Sequence, residues 1–203
     1  MRGLLRFAGV VAVACVGLSL KGKIKKGRGG MDRIMIVGGA GSGKSTLARW
    51  LGAQTGLPVR HLDHVHWMPH WTPRPQEERL AMVRAFEQEA CWIIEGGISD
   101  TYPTRLARAQ MVIWLDLPVG QRLRRVLRRS WRYRDGGRAD LPEGCVERFD
   151  RETFAFLKWI WDDREKGRGR ILENLAEPPA HLEVHHLRSS AEVATFQHSF
   201  AQV

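Results

Sequence analysis

The sequence predicts a three-layer α/β fold in which helices cover both faces of a five-stranded parallel sheet. From Met31 onward, short apolar runs alternate with longer amphipathic segments, a pattern typical of parallel strands joined by helices. The runs at 34–37 (IMIV), 92–94 (WII) and 112–115 (VIWL) are apolar throughout, as expected for strands buried on both faces. Because no internal repeat and no second domain are evident, we expect one domain at 31–203.

The elements follow in a regular order along the chain. Strands are predicted at Arg33–Gly38, Pro58–Leu62, Cys91–Glu95, Met111–Asp116 and Leu182–Leu187. Helices are predicted at Gly43–Gln54, Pro75–Ala90, Val119–Tyr133, Glu143–Lys166 and Ser190–Gln202. Pro75 suits the first turn of its helix, where no backbone donor is needed. The segment 134–144 (RDGGRADLPEG) is rich in turn residues and predicts an insertion between two helices.

The basic charge of the chain is concentrated at its N-terminus. The net charge is +10, but residues 1–30 hold seven Lys/Arg and no Asp/Glu. The remainder therefore has 25 basic and 22 acidic residues, which gives little support to direct DNA binding. We interpret residues 1–30 as an N-terminal extension ahead of a working protein that starts at Met31. A membrane-surface anchor and a cleaved export signal are the alternatives.

Several further features bear on the location of the protein. The apolar run Phe7–Leu20 is shorter than the about 20 residues that span a membrane, so we expect no transmembrane helix. Cys15, Cys91 and Cys145 have no paired spacing, which favours reduced thiols and a cytoplasmic protein. The sequence leaves both a monomer and a homodimer open.

The segment 38–46 (GGAGSGKST) contains the pattern G-x-x-x-x-G-K-S and predicts a phosphate-binding loop, the P-loop. Glycines let successive backbone N–H groups point at phosphates, and the helix that follows adds its positive dipole end. Lys44 is expected to reach the β- and γ-phosphates, and the Ser45 hydroxyl to bind Mg²⁺. We therefore expect ATP and Mg²⁺ as ligands. The candidate nucleotide-binding residues are Gly38, Gly39, Ala40, Gly41, Ser42, Gly43, Lys44, Ser45 and Thr46.

The motif order resembles the adenylate kinase-like P-loop kinases over nearly all of 31–203. More closely, the phrases HLDHVHW (61–67), WIIEGG (92–97) and EGCVERF (143–149) resemble the bacterial DNA topology modulation proteins. The resemblance implies a P-loop NTPase fold with sheet order 2-3-1-4-5, a cleft at the carboxyl ends of the strands, and a small Arg-rich lid at about 133–144.

The resemblance also assigns roles to arginines. It implies that Arg125 and Arg129, four residues apart on one helix face, contact the transferring phosphate, with Arg134 and Arg138 added from the lid. Arg105 lies where related kinases carry an arginine for the acceptor phosphate. A solvated basic face, a nucleic-acid patch and, for Arg105, a surface ion pair are the alternatives.

Carboxylates near strand ends are candidates for metal binding and catalysis. Glu95-Gly96 stands where adenylate kinases carry Asp-Gly, so Glu95 is expected to bind Mg²⁺ or its water, whereas Asp116 is expected to cap a turn. Related small-molecule kinases carry an acid at the end of the second strand, which makes Asp63 the expected base for a hydroxyl acceptor. Trp67 and Trp71 are expected to wall the acceptor pocket, or to pack on the second helix.

The histidine-dense stretch 61–71 (HLDHVHWMPHW) looks at first like a metal site. No partner cluster completes a zinc shell, so we interpret it as the acceptor-selecting loop. The predicted function is an ATP-dependent phosphotransferase that acts on a nucleoside, nucleotide or other small molecule. The alternative is a regulatory ATP-binding protein or ATPase that affects DNA topology or gene expression without a small-molecule acceptor.

Overall fold

The computed structural model describes residues 30–134, 141–142, 144–146 and 149–202. Its strands are β1 (Arg33–Gly38), β2 (Val59–His61), β3 (Trp67–Met68), β4 (Thr72–Pro73), β5 (Trp92–Glu95), β6 (Met111–Leu115) and β7 (Glu183–Leu187). Its helices are α1 (Lys44–Thr55), α2 (Leu62–His66), α3 (Gln76–Gln88), α4 (Tyr102–Arg108), α5 (Val119–Arg132), α6 (Arg151–Asp162), α7 (Arg164–Asn174) and α8 (Ser190–Ala201). The predicted extension at 1–30 lies almost wholly outside the described residues.

Five strands form one parallel sheet in the order β2-β5-β1-β6-β7, and β3 and β4 form a separate antiparallel hairpin. Numbered along the chain without the hairpin, the sheet order is 2-3-1-4-5, which confirms the predicted fold. The central strand β1 pairs Ile36 with Glu95 on β5 and Gly38 with Leu115 on β6. The carboxyl ends of these strands therefore meet at one edge of the sheet, beside the P-loop.

Alternate residues of the strands pack into two apolar cores, one on each face of the sheet. Met35 and Val37 pack with residues of α3, α4 and α7, whereas Ile34 and Ile36 pack with residues of α1 and α8. Burial on both faces explains why the strands are apolar throughout. Packing of α1 on the sheet also holds the N-terminus of this helix at the end of the P-loop.

Two predicted elements differ from the structure. The second strand ends at His61, and Leu62 instead begins the short helix α2. The helix predicted at Glu143–Lys166 is wrong, because α6 ends at Asp162 and α7 starts at Arg164, with Asp163 as the junction. A carboxylate is unfavourable at a helix C-terminus and favourable at an N-terminus, which suits Asp163 to its place before α7.

Two further expectations concern the whole chain. Among the described residues, none of the helices is long and apolar enough to cross a membrane. Cys145 is a buried free thiol, whereas Cys91 takes part in a disulfide, contrary to the expectation of reduced thiols throughout.

Candidate active site

The P-loop adopts backbone conformations that require glycine. Gly38, Gly41 and Gly43 have φ values of 143°, 77° and 101°. A Cβ on Gly38 would lie 2.5 Å from the Leu115 carbonyl oxygen, and one on Gly41 would lie 2.6 Å from the Arg122 carbonyl oxygen. The glycines therefore allow the loop to turn tightly against β6 and α5, and they leave its N–H groups for an anion.

The loop leads into the N-terminus of α1, which is electropositive. Gly43 is the N-cap, no side chain caps the helix, and its first turn contains no acidic residue. Lys44 Nζ donates a hydrogen bond to the Gly39 carbonyl oxygen at 3.2 Å, so the lysine folds back over the loop. The buried Ser42 hydroxyl has no hydrogen-bond partner among the described residues. These groups have the chemistry that suits a phosphate.

Glu95 lies at the carboxyl end of β5, buried beside the P-loop. Its side chain is 3% exposed, and its Oε1 lies 2.6 Å from His61 Nδ1. Burial raises the pKa of Glu95, but the His61 hydrogen bond, the charges of Lys44 and His61, and the Ser45 hydroxyl outweigh it, so the pKa is lowered. Glu95 is therefore an ionised carboxylate in contact with the P-loop serine.

The residues around Ser45 fit a magnesium ion. Mg²⁺ in phosphate sites is held by one or two protein oxygens, by water and by the phosphates themselves. The Ser45 hydroxyl and the anionic Glu95 supply that chemistry at the mouth of the loop. Among the described residues, no group of three or more His, Cys, Asp or Glu side chains is placed to hold a metal ion. Ser45 and Glu95 are therefore the residues that would hold a magnesium ion at this site.

Helix α5 places arginines on the loop. Arg125 donates from Nη1 to the Ser42 carbonyl oxygen at 2.9 Å and from Nη2 to Ser190 Oγ at 2.9 Å. Arg129 lines the same cleft. Arg134 instead packs its guanidinium over the Trp131 ring, 4.8 Å from the ring centroid. Arg138 lies outside the described residues.

A cleft of about 1570 Å³ lies at the carboxyl ends of the strands and extends from the P-loop to the region of α2 and the hairpin. Asp63 is exposed on its wall in the first turn of α2. Trp67 and Trp71 also line it and contact each other edge to face, with ring centroids 5.5 Å apart. The Trp71 indole donates to the Val146 carbonyl oxygen at 3.2 Å, which ties the hairpin to the segment after the predicted lid. The cleft also contains Gly96 and all residues from Gly38 to Thr46.

Arg105 is not placed as the resemblance implies. It has no exposed surface, and it is absent from the cleft wall formed by the described residues. Its guanidinium donates to Thr101 Oγ1, the Gly96 carbonyl and the Ile98 carbonyl at 2.9, 3.2 and 2.9 Å. Burial lowers its pKa to about 10, and nearby Tyr102, Glu87 and Glu95 oppose that shift. Arg105 therefore holds the loop after β5, and neither a phosphate contact nor a surface ion pair describes it.

The histidines of the stretch 61–71 serve separate partners. His61 binds Glu95, and His66 Nδ1 lies 2.7 Å from Arg79 Nη1. Burial and then the charge of Arg79 lower the pKa of His66, so its ring is neutral and accepts this hydrogen bond. The stretch after His61 is not the expected loop, because it forms helix α2 and the first strand of the hairpin. Among the described residues, its histidines belong to no group placed to hold a metal ion.

Sequence reasoning missed three groups. His61 is the register partner of Glu95 on adjacent strands, a pairing that the predicted strand order already implied. Arg122 is buried against the P-loop, and its spacing from Val126 and Ser130 marks the buried face of α5. Phe156 and Trp159 stack with centroids 5.6 Å apart on the cleft wall.

This chain is similar to several known proteins. A family model described as AAA domain matches residues 34–155. Similar solved structures include shikimate kinase from Acinetobacter baumannii in complex with shikimate, at 18% identity and a TM-score of 0.48, covering 85% of this chain and 92% of that one. Deoxyadenosine kinase from M. mycoides with bound dCTP is 12% identical, with a TM-score of 0.43, covering 84% of this chain and 100% of that one. No curated protein matches the sequence.

Proposed function

We propose that this chain, which belongs to the AAA domain family, whose model matches residues 34–155, is an ATP-dependent phosphotransferase. ATP binds at the P-loop with Mg²⁺, and the γ-phosphate passes to a small molecule that carries a hydroxyl group. The observation that carries the proposal is Glu95, an ionised and buried carboxylate that contacts Ser45 and lies beside Lys44. Such a carboxylate beside a P-loop lysine and serine is what a magnesium–nucleotide complex requires.

The nucleotide half of the cleft supplies positive charge and positioning. Phosphoryl transfer asks the protein mainly to hold its reactants in line and to neutralise charge on the transferring group. Lys44, Arg125 and Arg129 are the proposed phosphate contacts, with Arg134 and Arg138 as candidates from the lid. Bound Mg²⁺, held through Ser45 and Glu95, would offset charge on the phosphate oxygens.

The acceptor half of the cleft contains a candidate base. Asp63 is exposed in the cleft, where it can take the proton of an acceptor hydroxyl. The hydroxyl oxygen then bonds to the γ-phosphorus, the bond to the β,γ-bridging oxygen breaks, and ADP leaves with that electron pair. Trp67 and Trp71 give this half of the cleft apolar and aromatic walls, which suit an acceptor with a ring or hydrocarbon portion.

Within the P-loop kinases, we place the chain in the adenylate kinase-like group, nearest to the DNA topology modulation proteins. The motifs at 61–67 and 92–97 support this placement. Arg105, which would distinguish a phosphorylated acceptor in that group, is buried away from the cleft, and this favours an acceptor recognised by its hydroxyl.

The test is transfer of label from ATP. The full chain is incubated with γ-labelled ATP, Mg²⁺ and metabolite pools sorted by chemistry into nucleosides, sugars, polyols and amino alcohols. We expect a labelled organic product that Lys44→Ala abolishes and that Lys166→Ala, at an exposed lysine on α7, retains. Label found only in inorganic phosphate across all pools would contradict the proposal.

A second candidate is the regulatory ATP-binding protein that acts on DNA. The observation that favours it is a row of exposed arginines, Arg124, Arg128 and Arg132, spaced four residues apart on α5. Contacts of this kind weaken steeply as salt rises. Titration of labelled duplex DNA at increasing salt tests it, and absence of saturable binding at about 100 mM salt would remove it.

A further inference from the structure

Arg122 lies beside the P-loop, and its guanidinium forms no hydrogen bond or ion pair with any of the described residues. The side chain is 9% exposed and lines the cleft, and its buried Nε has no hydrogen-bond partner among those residues. A guanidinium whose donors the protein leaves unused is suited to bind an anion.

The position of Arg122 indicates which kind of anion its guanidinium would bind. Its Nη1 lies 1.8 Å from the point that a Cβ on Gly39 would occupy, so the guanidinium fills the space that this glycine leaves. Lys44 Nζ donates to the carbonyl oxygen of the same Gly39 at 3.2 Å. The two cations therefore flank one residue of the P-loop. Because the P-loop lysine contacts the β- and γ-phosphates, a phosphate held by Lys44 lies within the reach of Arg122.

The nearest carboxylates do not neutralise Arg122. Their charges act on it, but Asp116 Oδ2 accepts from Arg168 Nε at 3.1 Å and from His186 Nε2 at 2.9 Å. Asp163 Oδ1 accepts from Arg170 at 2.9 Å. Both acids are thus engaged by other groups, and burial lowers the pKa of Arg122 in spite of them.

Arg125, one turn further along α5, provides the contrast. Its two terminal nitrogens already donate to Ser42 and Ser190 within the protein. Arg122 keeps its donors available, and a guanidinium binds phosphate oxygens in a planar, two-pronged geometry.

We propose that Arg122 is a direct ligand of the terminal phosphates of ATP, acting together with Lys44. The proposal rests on the nucleotide site described under the proposed function. It adds a phosphate contact at a position that the Arg125–Arg129 pair does not include. It also explains why residue 39 is a glycine, since any side chain there would displace the guanidinium.

The test compares Arg122→Met with Arg124→Met, which changes an exposed arginine on the same helix. Affinities of the full chain for ATP and ADP are measured by calorimetry, and thermal unfolding is followed without nucleotide. We expect Arg122→Met to weaken ATP binding by on the order of tenfold or more, and by more for ATP than for ADP. Stability without nucleotide should stay the same or rise, because an unpaired buried charge is removed. Arg124→Met should change neither quantity.

The outcomes separate this inference from the proposed function. If Arg122→Met binds ATP as tightly as the unmodified chain and only loses stability, Arg122 is a packing residue and the inference is overturned. If the unmodified chain does not bind ATP, the nucleotide site itself fails, whatever Arg122 does. Should Arg122→Met not fold, Arg122→Gln is measured in the same way, and an unchanged ATP affinity in that variant also overturns the inference.

Discussion

His61 Nδ1 lies 2.6 Å from Glu95 Oε1, and the two residues are register partners on the adjacent parallel strands β2 and β5. This contact keeps an otherwise desolvated carboxylate ionised beside the P-loop. His61, at the end of β2, thereby stabilises the ionised form of the carboxylate that we propose as a magnesium ligand.

We predict that His61→Leu moves the acid limb of the activity profile to higher pH. The pKa of Glu95 now lies below its ordinary value of 4.5, so its ionised form is lost only as pH falls through that lower value. Without the hydrogen bond and charge of His61, burial raises the pKa, and protonation begins at a higher pH. The pH dependence of ATP turnover between about 4 and 8 measures the shift. His64→Leu, at the exposed neighbouring histidine, is the control, and an equal shift in both variants would contradict this role of His61.

We predict that Glu95→Gln weakens the response to magnesium. Loss of the anionic oxygen beside Ser45 should raise the Mg²⁺ concentration for half-maximal ATP turnover by roughly tenfold to a hundredfold. A magnesium titration at fixed ATP measures it. Glu89→Gln, at a carboxylate paired with Arg60 at 2.8 Å, is the matched control. A half-saturating concentration that does not change in Glu95→Gln would remove Glu95 from the metal site.

We predict that Gly41→Ala lowers both the free energy of unfolding and the ATP affinity far more than Gly56→Ala does. Both glycines have nearly the same φ, 77° and 75°, so each substitution carries a left-handed strain of about 1–2 kcal/mol. A Cβ on Gly41 meets the Arg122 carbonyl at 2.6 Å and Val126 Cγ2 at 2.8 Å, whereas one on Gly56 meets nothing within 4 Å. Urea unfolding and ATP affinity measure the difference. Equal losses in the two variants would show that packing of the P-loop on α5 contributes nothing.

We predict that Arg105→Met lowers the free energy of unfolding by roughly 2–3 kcal/mol, because charge-assisted hydrogen bonds to buried acceptors are lost. Arg84→Met, at an exposed arginine on α3, should change it by less than about 0.5 kcal/mol. Urea denaturation of the two variants checks this. If Arg105→Met is as stable as the unmodified chain but binds the acceptor more weakly, Arg105 contacts the acceptor, and the structural role given to it here is wrong.

The fold was predictable because its signals are local. Uniformly apolar strands identify a sheet covered on both faces, and the P-loop glycines are dictated by turns within a few residues. Element ends were less predictable. Leu62 is buried at 1% exposure, and hydrophobicity alone cannot distinguish the last residue of β2 from the first of α2.

The site was predictable only in part, because burial of charged side chains depends on tertiary packing. Nothing in the sequence distinguishes Arg105 and Arg122 from the other arginines. In the structure, Arg105 supports the loop after β5, and Arg122 forms no ion pair with the described residues at the P-loop. The division of the predicted helix at Asp163 could not be predicted either, because no glycine or proline stands at that position. The His61–Glu95 pair was missed because the predicted strand order made β2 and β5 neighbours but did not give their register, which brings these two residues opposite each other.

The most direct test of the account is the partition of label between acceptor and water in Asp63→Asn. With γ-labelled ATP and an acceptor that the unmodified chain phosphorylates, transfer to the hydroxyl should fall by roughly a hundredfold to ten-thousandfold. ATP affinity and the slow release of inorganic phosphate should not change, because the P-loop and Glu95 are intact. Asp162→Asn, which removes an exposed ion pair with Lys158 on α6, should transfer phosphate normally. Undiminished transfer in Asp63→Asn would contradict the claim that this chain activates a hydroxyl acceptor through Asp63.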